Sequence, residues 1–225
     1  MKKKVLHSSR KLRIGATIAA VVSVATGAYF LISTNKNKSF PVPAYEVERV
    51  IDGDTFETKE KQHIRIASTE APELDQCGAV EAKAALEGLI VGKPVYLKVV
   101  YRDPYQRLVS LVYTKDTFVN EAMLTNGYSY YARGSPGEIG EQLKKATERA
   151  REEKKGIFSN TCTQMVNKTK ASCNIKGNDR NGKIYYMPAC GVYDNVTVQL
   201  YLGDRWFCNE KEAISAGFRK PEQCK

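Results

Sequence analysis

Val50-Ile51-Asp52-Gly53-Asp54-Thr55 joins two short runs of β-forming residues through an Asp-Gly turn, and the rest of the domain is read outward from it. Runs rich in β-branched and aromatic residues fall at 45–51, 55–59, 63–68, 94–101 and 108–113. Ala82, Ala85, Leu86 and Leu89 follow the i, i+3, i+4, i+7 pattern of a helix, with Gly92 placed to stop it. A second helix is expected over 118–126, closed by Gly127. A third covers 138–155, with Leu143, Ala146 and Ala150 on one face and Gly156 at its end. The charges over 144–155 are the wet side of that helix. Five strands and three helices make an α+β plan, and five strands are enough to close a small barrel.

Two further stretches carry chemistry: Arg65-Ile66-Ala67-Ser68-Thr69-Glu70-Ala71-Pro72-Glu73 and Asp103-Pro104-Tyr105-Gln106-Arg107. With Asp52 and Asp54 they supply carboxylates able to hold a hard cation, one spare carboxylate and two arginines. Those groups can neutralise phosphoryl oxygens, aim a water in line and steady a leaving oxygen. In order and spacing the set resembles the thermonuclease (staphylococcal nuclease) family, over roughly residues 45–158. Each piece alone has a plain reading as turn, loop or surface ion pair; the ordered set is specific. The resemblance implies a five-stranded OB-fold barrel with three helices, in the same element order as the periodicity gives.

Asp54, placed by the Gly53 turn, and Glu70, at the end of the third strand, are the expected cation ligands, with the Ala71 backbone carbonyl as a third oxygen. Asp52 is a supporting neighbour. An all-oxygen set suits Ca²⁺ better than a transition metal. Arg65 and Arg107 resemble the family's two phosphate-gripping arginines, whose planar charge can hold two phosphoryl oxygens at once. Glu73 matches the glutamate that orients or deprotonates the attacking water, and Pro72 fixes the backbone before it. Tyr105 corresponds to a family tyrosine near the nucleotide. Tyr128, Tyr130 and Tyr131 cluster where a base could stack, with Tyr130 and Tyr131 the preferred candidates; packing tyrosines are the competing reading. The chain departs from the family at Glu70, where aspartate is usual, at Pro104, often lysine or arginine, and at Gln106, commonly glycine.

Six cysteines, Cys77, Cys162, Cys173, Cys190, Cys208 and Cys224, form an even set. Disulfides are the preferred reading and zinc the alternative, weakened by the lack of any Cys-x-x-Cys pair and by having only His7 and His63. The expected pairs are Cys77 with Cys162, Cys190 with Cys208, and Cys173 with Cys224. Residues 44–160 are the barrel domain and 161–172 a polar linker. Residues 173–225 are a small disulfide-rich α+β module, in which a strand runs into a short helix with Asn209 as N-cap, Glu212 as its capping partner and Gly217 as its stop. A unit of that size needs cross-links.

At the other end, the basic segment 1–13 precedes the uncharged run 14–32, which is 19 residues long and near the length that spans a bilayer. A single-pass signal anchor with a cytoplasmic N-terminus is preferred; a cleaved signal peptide, giving a secreted protein, is the alternative. The polar segment 33–43 is a linker ending in two prolines. Residues 1–39 hold 8 of the 35 Lys and Arg and none of the 25 acids, so the remainder carries only a small positive excess. Nucleic-acid binding must therefore come from placed residues, not from a general positive field.

The expectation is a calcium-dependent nuclease acting outside the cytoplasm on DNA and RNA, single strands preferred, with little sequence specificity. It needs no protein partner, touches the membrane through its N-terminal helix, and is monomeric. The alternative is an anchored OB-fold module that binds nucleic acid but is catalytically weak. A third reading gives the work to the cysteine module as an adhesion element. Mechanisms built on histidine pairs or a serine–histidine couple lack the residues.

Overall fold

The computed structural model describes residues 44–132, 134–135, 137–180 and 182–224. The first strands are β1 (Ala44–Tyr45), β2 (Val47–Val50), β3 (Thr55–Thr58), which is buried along its whole length, β4 (His63–Ile66), which alternates inward and outward, and β5 (Thr69–Glu70). Then come α1 (Ala79–Ile90), β6 (Val95–Arg102), β7 (Leu108–Tyr113), α2 (Val119–Thr125), β8 (Tyr130–Tyr131) and α3 (Gly137–Glu152).

The main sheet runs β1-β6-β7-β4-β3-β2, antiparallel throughout except for the parallel pair β4–β7. Its two edge strands are consecutive in the chain, separated only by Glu46, so the sheet comes back on itself as a nearly closed barrel. The single first strand expected over 45–51 is divided at that point, and six hydrogen-bonded strands stand where five were expected. β1 pairs with β6 while β2 pairs with β3, and the register slips between Val47 and Arg49. Such an irregularity bends a strand and lets one passage of chain serve both edges.

Inside the barrel lie Phe56, Ile64, Ile66, Val95, Leu97 and Val112, capped by Ala82, Leu86 and Ile90 of α1. Burying each of the large side chains contributes on the order of 1.5–3 kcal/mol. Ala85 and Leu89 pack at the edge of this cluster, so the helical face read from the sequence is rotated only slightly. Arg65 alternates with Ile64 and Ile66 and therefore points out of the barrel. α3 ends at Glu152, short of the expected 155. Lys154 takes a left-handed φ of 53°, and the chain then turns to pass Gly127 at backbone contact. A Cβ on Gly156 would stand 2.1 Å from the Gly127 carbonyl oxygen, which accepts the Ile157 N–H at 2.8 Å.

The remaining chain forms β9 (Thr163–Gln164), β10 (Ile175–Asn178), β11 (Ile184–Tyr186), β12 (Val198–Gln199), β13 (Arg205–Phe207) and α4 (Glu210–Ser215). β11-β10-β13 is one small sheet, and β12 pairs back with β9. Asn209 caps α4 as expected: its Oδ1 accepts the Glu212 N–H at 2.9 Å, and the Glu212 carboxylate reaches back to the Cys208 N–H at 2.8 Å. Lys176 is buried in this sheet, satisfied by the Tyr193 and Val196 carbonyls at 3.0 and 2.7 Å.

All six cysteines are in disulfides, which removes the zinc reading. Cys77–Cys162 forms as expected. The other two expected pairs, Cys190 with Cys208 and Cys173 with Cys224, are corrected to Cys173–Cys208 and Cys190–Cys224. Strand register decides it. Ile175 lies opposite Phe207, which brings the flanking Cys173 and Cys208 together. Beyond α4 the chain returns beside β11, with Arg219 bridged to Ile184, and carries Cys224 toward Cys190.

The membrane placement is also corrected. Among the described residues no helix is long and apolar enough to cross a membrane. The run 14–32, on which the single-pass anchor, its cleaved alternative and the membrane contact were read, lies outside the described residues, as do the basic segment 1–13 and the linker 33–43.

Candidate active site

Asp54 follows the Asp52-Gly53 turn, whose geometry is fixed when the Asp52 Oδ1 accepts the Asp54 N–H at 3.0 Å. Gly53 is required by contact: a Cβ there would stand 2.6 Å from the Cβ atoms of both Ala71 and Ala82. The turn thus lies flat on the start of the next segment and carries Asp54 inward, where it is 3% exposed.

Both oxygens of the Asp54 carboxylate accept hydrogen bonds. Oδ1 accepts from Arg65 Nη1 at 2.6 Å and from Thr55 Oγ1 at 3.0 Å, while Oδ2 accepts the Ala71 N–H at 2.8 Å. The other arm of the same guanidinium, Nη2, donates to Glu70 Oε2 at 2.7 Å. Burial pushes Asp54 up to about 7; Arg65 opposes the rise, the charges of Asp52 and Glu70 add to it, and the Ala71 N–H also opposes it. Burial works against the charge on Arg65, but Asp54 and Glu70 outweigh it and hold the guanidinium above its ordinary value.

Glu70 reaches this cluster because the chain reverses after β4. Ser68 sits at a left-handed φ of 57°, uncommon for a residue with a side chain, and its hydroxyl donates to Ser135 Oγ at 2.8 Å. The buried Asn120 of α2 clamps the same corner, donating to the Ala67 carbonyl and accepting the Val112 N–H. β5 then pairs with β8, which sets Tyr130 directly across from Glu70 and Tyr131 across from Thr69.

Of the residues singled out from sequence, Asp52, Asp54, Arg65, Glu70, Ala71 and Tyr130 therefore meet through direct contacts or strand pairing. Arg107 stands just before β7, the parallel neighbour of β4. Arg65 is in register with Val109, so Arg107 falls on the same face two residues back, its Cα roughly 8 Å from that of Arg65 from strand spacings alone. Its Nε donates to Asp103 Oδ2 at 2.7 Å, and its guanidinium lies 5.4 Å from the Tyr105 ring centre. Tyr105 is 81% exposed on the loop tip. Gln106 carries a φ of 66°, the physical reason glycine suits that position.

Glu73 lies on the turn after β5, exposed, and no described residue holds its carboxylate. Its backbone N–H donates to Gln76 Oε1 at 3.0 Å, and the residue after Gln76, Cys77, is tied to Cys162. Sequence reasoning does not find Gln76, because a glutamine beside a cysteine carries no signal. The half-buried ring of Tyr131 packs with Leu124, Leu143 and Ala146 between α2 and α3, and that of Tyr130 packs on the cluster of Ile157, Phe158 and Tyr201. Tyr128 likewise packs on the barrel core.

Among the described residues no three His, Cys, Asp or Glu side chains gather as a ready metal cage. Asp54 and Glu70 nevertheless share one guanidinium, so an oxygen of each lies within reach of one cationic group. The charge of Asp52 adds to theirs against a single arginine. His63 sits apart, beside Glu57 at 3.5 Å, and no thiol is free, so the donors are oxygens only. That set fits a hard divalent cation.

A small barrel with an arginine–carboxylate cluster on its outer wall, and Tyr105 and Tyr130 beside it, carries the charge needed to neutralise phosphoryl oxygens, the chemistry of a phosphodiester-cleaving enzyme. Comparison with known proteins gives the family. The family described as "Staphylococcal nuclease homologue" matches residues 54–160. An uncharacterized endonuclease of Escherichia coli O157:H7 is 30% identical over 118 residues, covering 50% of this chain and 75% of that protein. The micrococcal nuclease of Shigella flexneri is 26% identical over 170 residues, 66% of this chain and 91% of its own. A probable staphylococcal-like nuclease of Oryza sativa subsp. japonica is 37% identical over 71 residues, 32% of this chain and 19% of its own. The chain belongs to the staphylococcal nuclease family and is a hydrolase of the nuclease class.

Proposed function

We propose that this nuclease depends on Ca²⁺ and cleaves DNA and RNA with little sequence preference, taking single strands more readily than duplexes. The observation that carries the reading is Arg65, whose one guanidinium bridges Asp54 and Glu70 on the outer wall of the barrel. Asp54, Glu70 and the Ala71 carbonyl would hold the cation, which supplies positive charge to the phosphoryl oxygens when bound. Arg65 and Arg107, on one face of neighbouring strands, grip the phosphate from the protein side and gain as its oxygens acquire charge. Their present partners, Asp54, Glu70 and Asp103, keep both guanidiniums oriented. Glu73 has an uncommitted carboxylate and a backbone fixed by Gln76, so it aligns or deprotonates the attacking water. Exposed Tyr105 offers a ring face that accepts any base, which favours unpaired strands, and half-buried Tyr130 stands across from Glu70 as a second aromatic at the site.

The test is hydrolysis of labelled single- and double-stranded DNA and of RNA by the full chain, with Ca²⁺ or with a chelator, beside Glu73→Ala and Arg107→Ala. Each substitution is expected to lower kcat by about 10²–10⁴-fold, and chelation to remove activity. Equal cutting by all three proteins, or indifference to the chelator, sinks the assignment.

A further inference from the structure

The segment after Cys173 reaches the rim of the catalytic cluster through an unbroken series of contacts. Tyr130, opposite Glu70, meets the ring of Tyr201 edge-on with centres 6.0 Å apart. The Tyr201 hydroxyl donates to Gln199 Oε1 at 2.8 Å, and the same oxygen accepts from Arg180 Nη2 at 3.0 Å. On the neighbouring side, a Cβ added at Gly203 would lie 3.1 Å from Asp179 Oδ2 and 3.4 Å from Gln76 Nε2. Gln76 is the residue that holds the Glu73 turn. The C-terminal segment therefore packs against Tyr130 and Gln76, the residues beside Glu70 and Glu73.

Arg180 heads an open cleft of ≈ 380 Å³, lined also by Asn178, Tyr186, Asn195, Thr197 and Gln199. The carboxylate on its wall, Asp204, is already committed: Oδ1 accepts the Asp179 N–H, and Oδ2 accepts from Asn178 Nδ2 and the Gln199 N–H. Asp179 has Lys183 at 4.0 Å. Arg180 is exposed, among the described residues its side chain is held by the neutral amide of Gln199, and its charge is felt at both Tyr130 and Tyr201. A guanidinium tethered by one amide, an aromatic ring, and side-chain amides and a hydroxyl set among Ile184 and Val196 give what a nucleotide needs: charge for a phosphate, a face for a base, polar edges for sugar and base.

We propose that this cleft is a second nucleotide subsite, in which Arg180 takes a phosphate and Tyr186 a base of the strand running past Tyr130 from the scissile bond. The proposal rests on the nuclease reading above, and it makes the C-terminal segment an extension of the grip on single-stranded nucleic acid. A substrate too short to leave the catalytic cluster would not feel it.

The experiment measures steady-state hydrolysis of a dinucleotide and of a single strand of about twelve nucleotides, within the span one such module covers. The full chain is compared with Arg180→Ala, Arg180→Lys and, as a remote exposed control, Lys211→Ala. Arg180→Ala is expected to raise KM for the long strand roughly fivefold with kcat unchanged, and to flatten its dependence on log salt by about 0.7. Arg180→Lys should recover part of the loss and most of the slope; the dinucleotide should be unaffected, as should Lys211→Ala on both substrates. Equal losses on both lengths would mean that Arg180 only supports the fold, and no change on either would leave the cleft without a role; each overturns the subsite. Wild-type protein that cuts neither substrate would instead overturn the nuclease reading and the subsite with it.

Discussion

Arg65 and Asp54 form an ion pair at 2.6 Å, with the Asp54 side chain almost wholly withdrawn from solvent. Removing one partner of such a pair strands the other, whereas removing both does not. Arg65→Ala is expected to cost about 3 kcal/mol of stability, and the Asp54→Asn/Arg65→Ala double substitution less than the sum of the two singles, by at least about 1 kcal/mol. Urea unfolding of the four proteins in chelator checks it, and strict additivity would show that the pair is not coupled.

Gly53 lies against Ala71 and Ala82, where a Cβ would come within 2.6 Å of both methyl groups. Neither neighbour can swing away, since alanine has no rotamer to change and Ala82 is buried in α1. Gly53→Ala is expected to lower stability by about 1–3 kcal/mol through overpacking. It should lower kcat as well, because the shift lengthens the bond from the Ala71 N–H to Asp54. A variant with a lower melting temperature but unchanged kcat would show that the turn does not position Asp54.

The barrel is legible in the sequence because its signals are local. The Asp52-Gly53 turn, the alternation of Ile64, Arg65 and Ile66, and the spacing of Ala82 and Leu86 are each set by a few neighbouring residues. The division of the first strand at Glu46 is not legible, since it depends on which distant strand each half pairs with. The same holds for the cysteines: Cys173 meets Cys208 through the β10–β13 register, and no spacing reveals a register. At the site, residue types announce Asp54, Arg65 and Glu70. Tyr130 and Tyr131 are adjacent and alike in sequence, yet strand alternation sends one toward Glu70 and Tyr201 and the other between α2 and α3. Arg180 and Gln76 owe their places to packing between segments far apart in the chain.

Cys77–Cys162 closes a loop with a sequence separation of 85 residues and pins the turn that carries Glu73. Loop entropy alone gives about 4–5 kcal/mol for a loop of that length, and typical measured values are about 2–4 kcal/mol. The Cys77→Ser/Cys162→Ser double substitution is expected to lose about that much, and, on the role proposed for Glu73, to lower kcat more than it raises KM, since the turn bearing Glu73 loosens. Thermal melts and steady-state kinetics below the lowered transition check both parts. Unchanged stability would show that packing of Phe158 and Tyr201 already closes the loop.

Asp103 gathers the loop that presents Arg107 and Tyr105, accepting from the Arg107 side chain and from the backbone N–H groups of Tyr105 and Arg107. Burial opposes its ionisation, but those donors prevail and hold its carboxyl below the ordinary Asp value of 3.8. An acid whose folded pKa is lowered stabilises the fold above its unfolded pKa. That stabilisation is lost as pH falls through the lower, folded one. The stability difference between wild type and Asp103→Asn is therefore expected to be constant from neutral pH down to the ordinary Asp value, and to shrink below it. Denaturant midpoints for both proteins across that range test this, with the loop followed by Tyr105 fluorescence in a background where other exposed tyrosines are replaced. A difference that stays constant through the acid range would mean that the Asp103 charge does not hold the loop, and that the backbone turn alone orients Arg107.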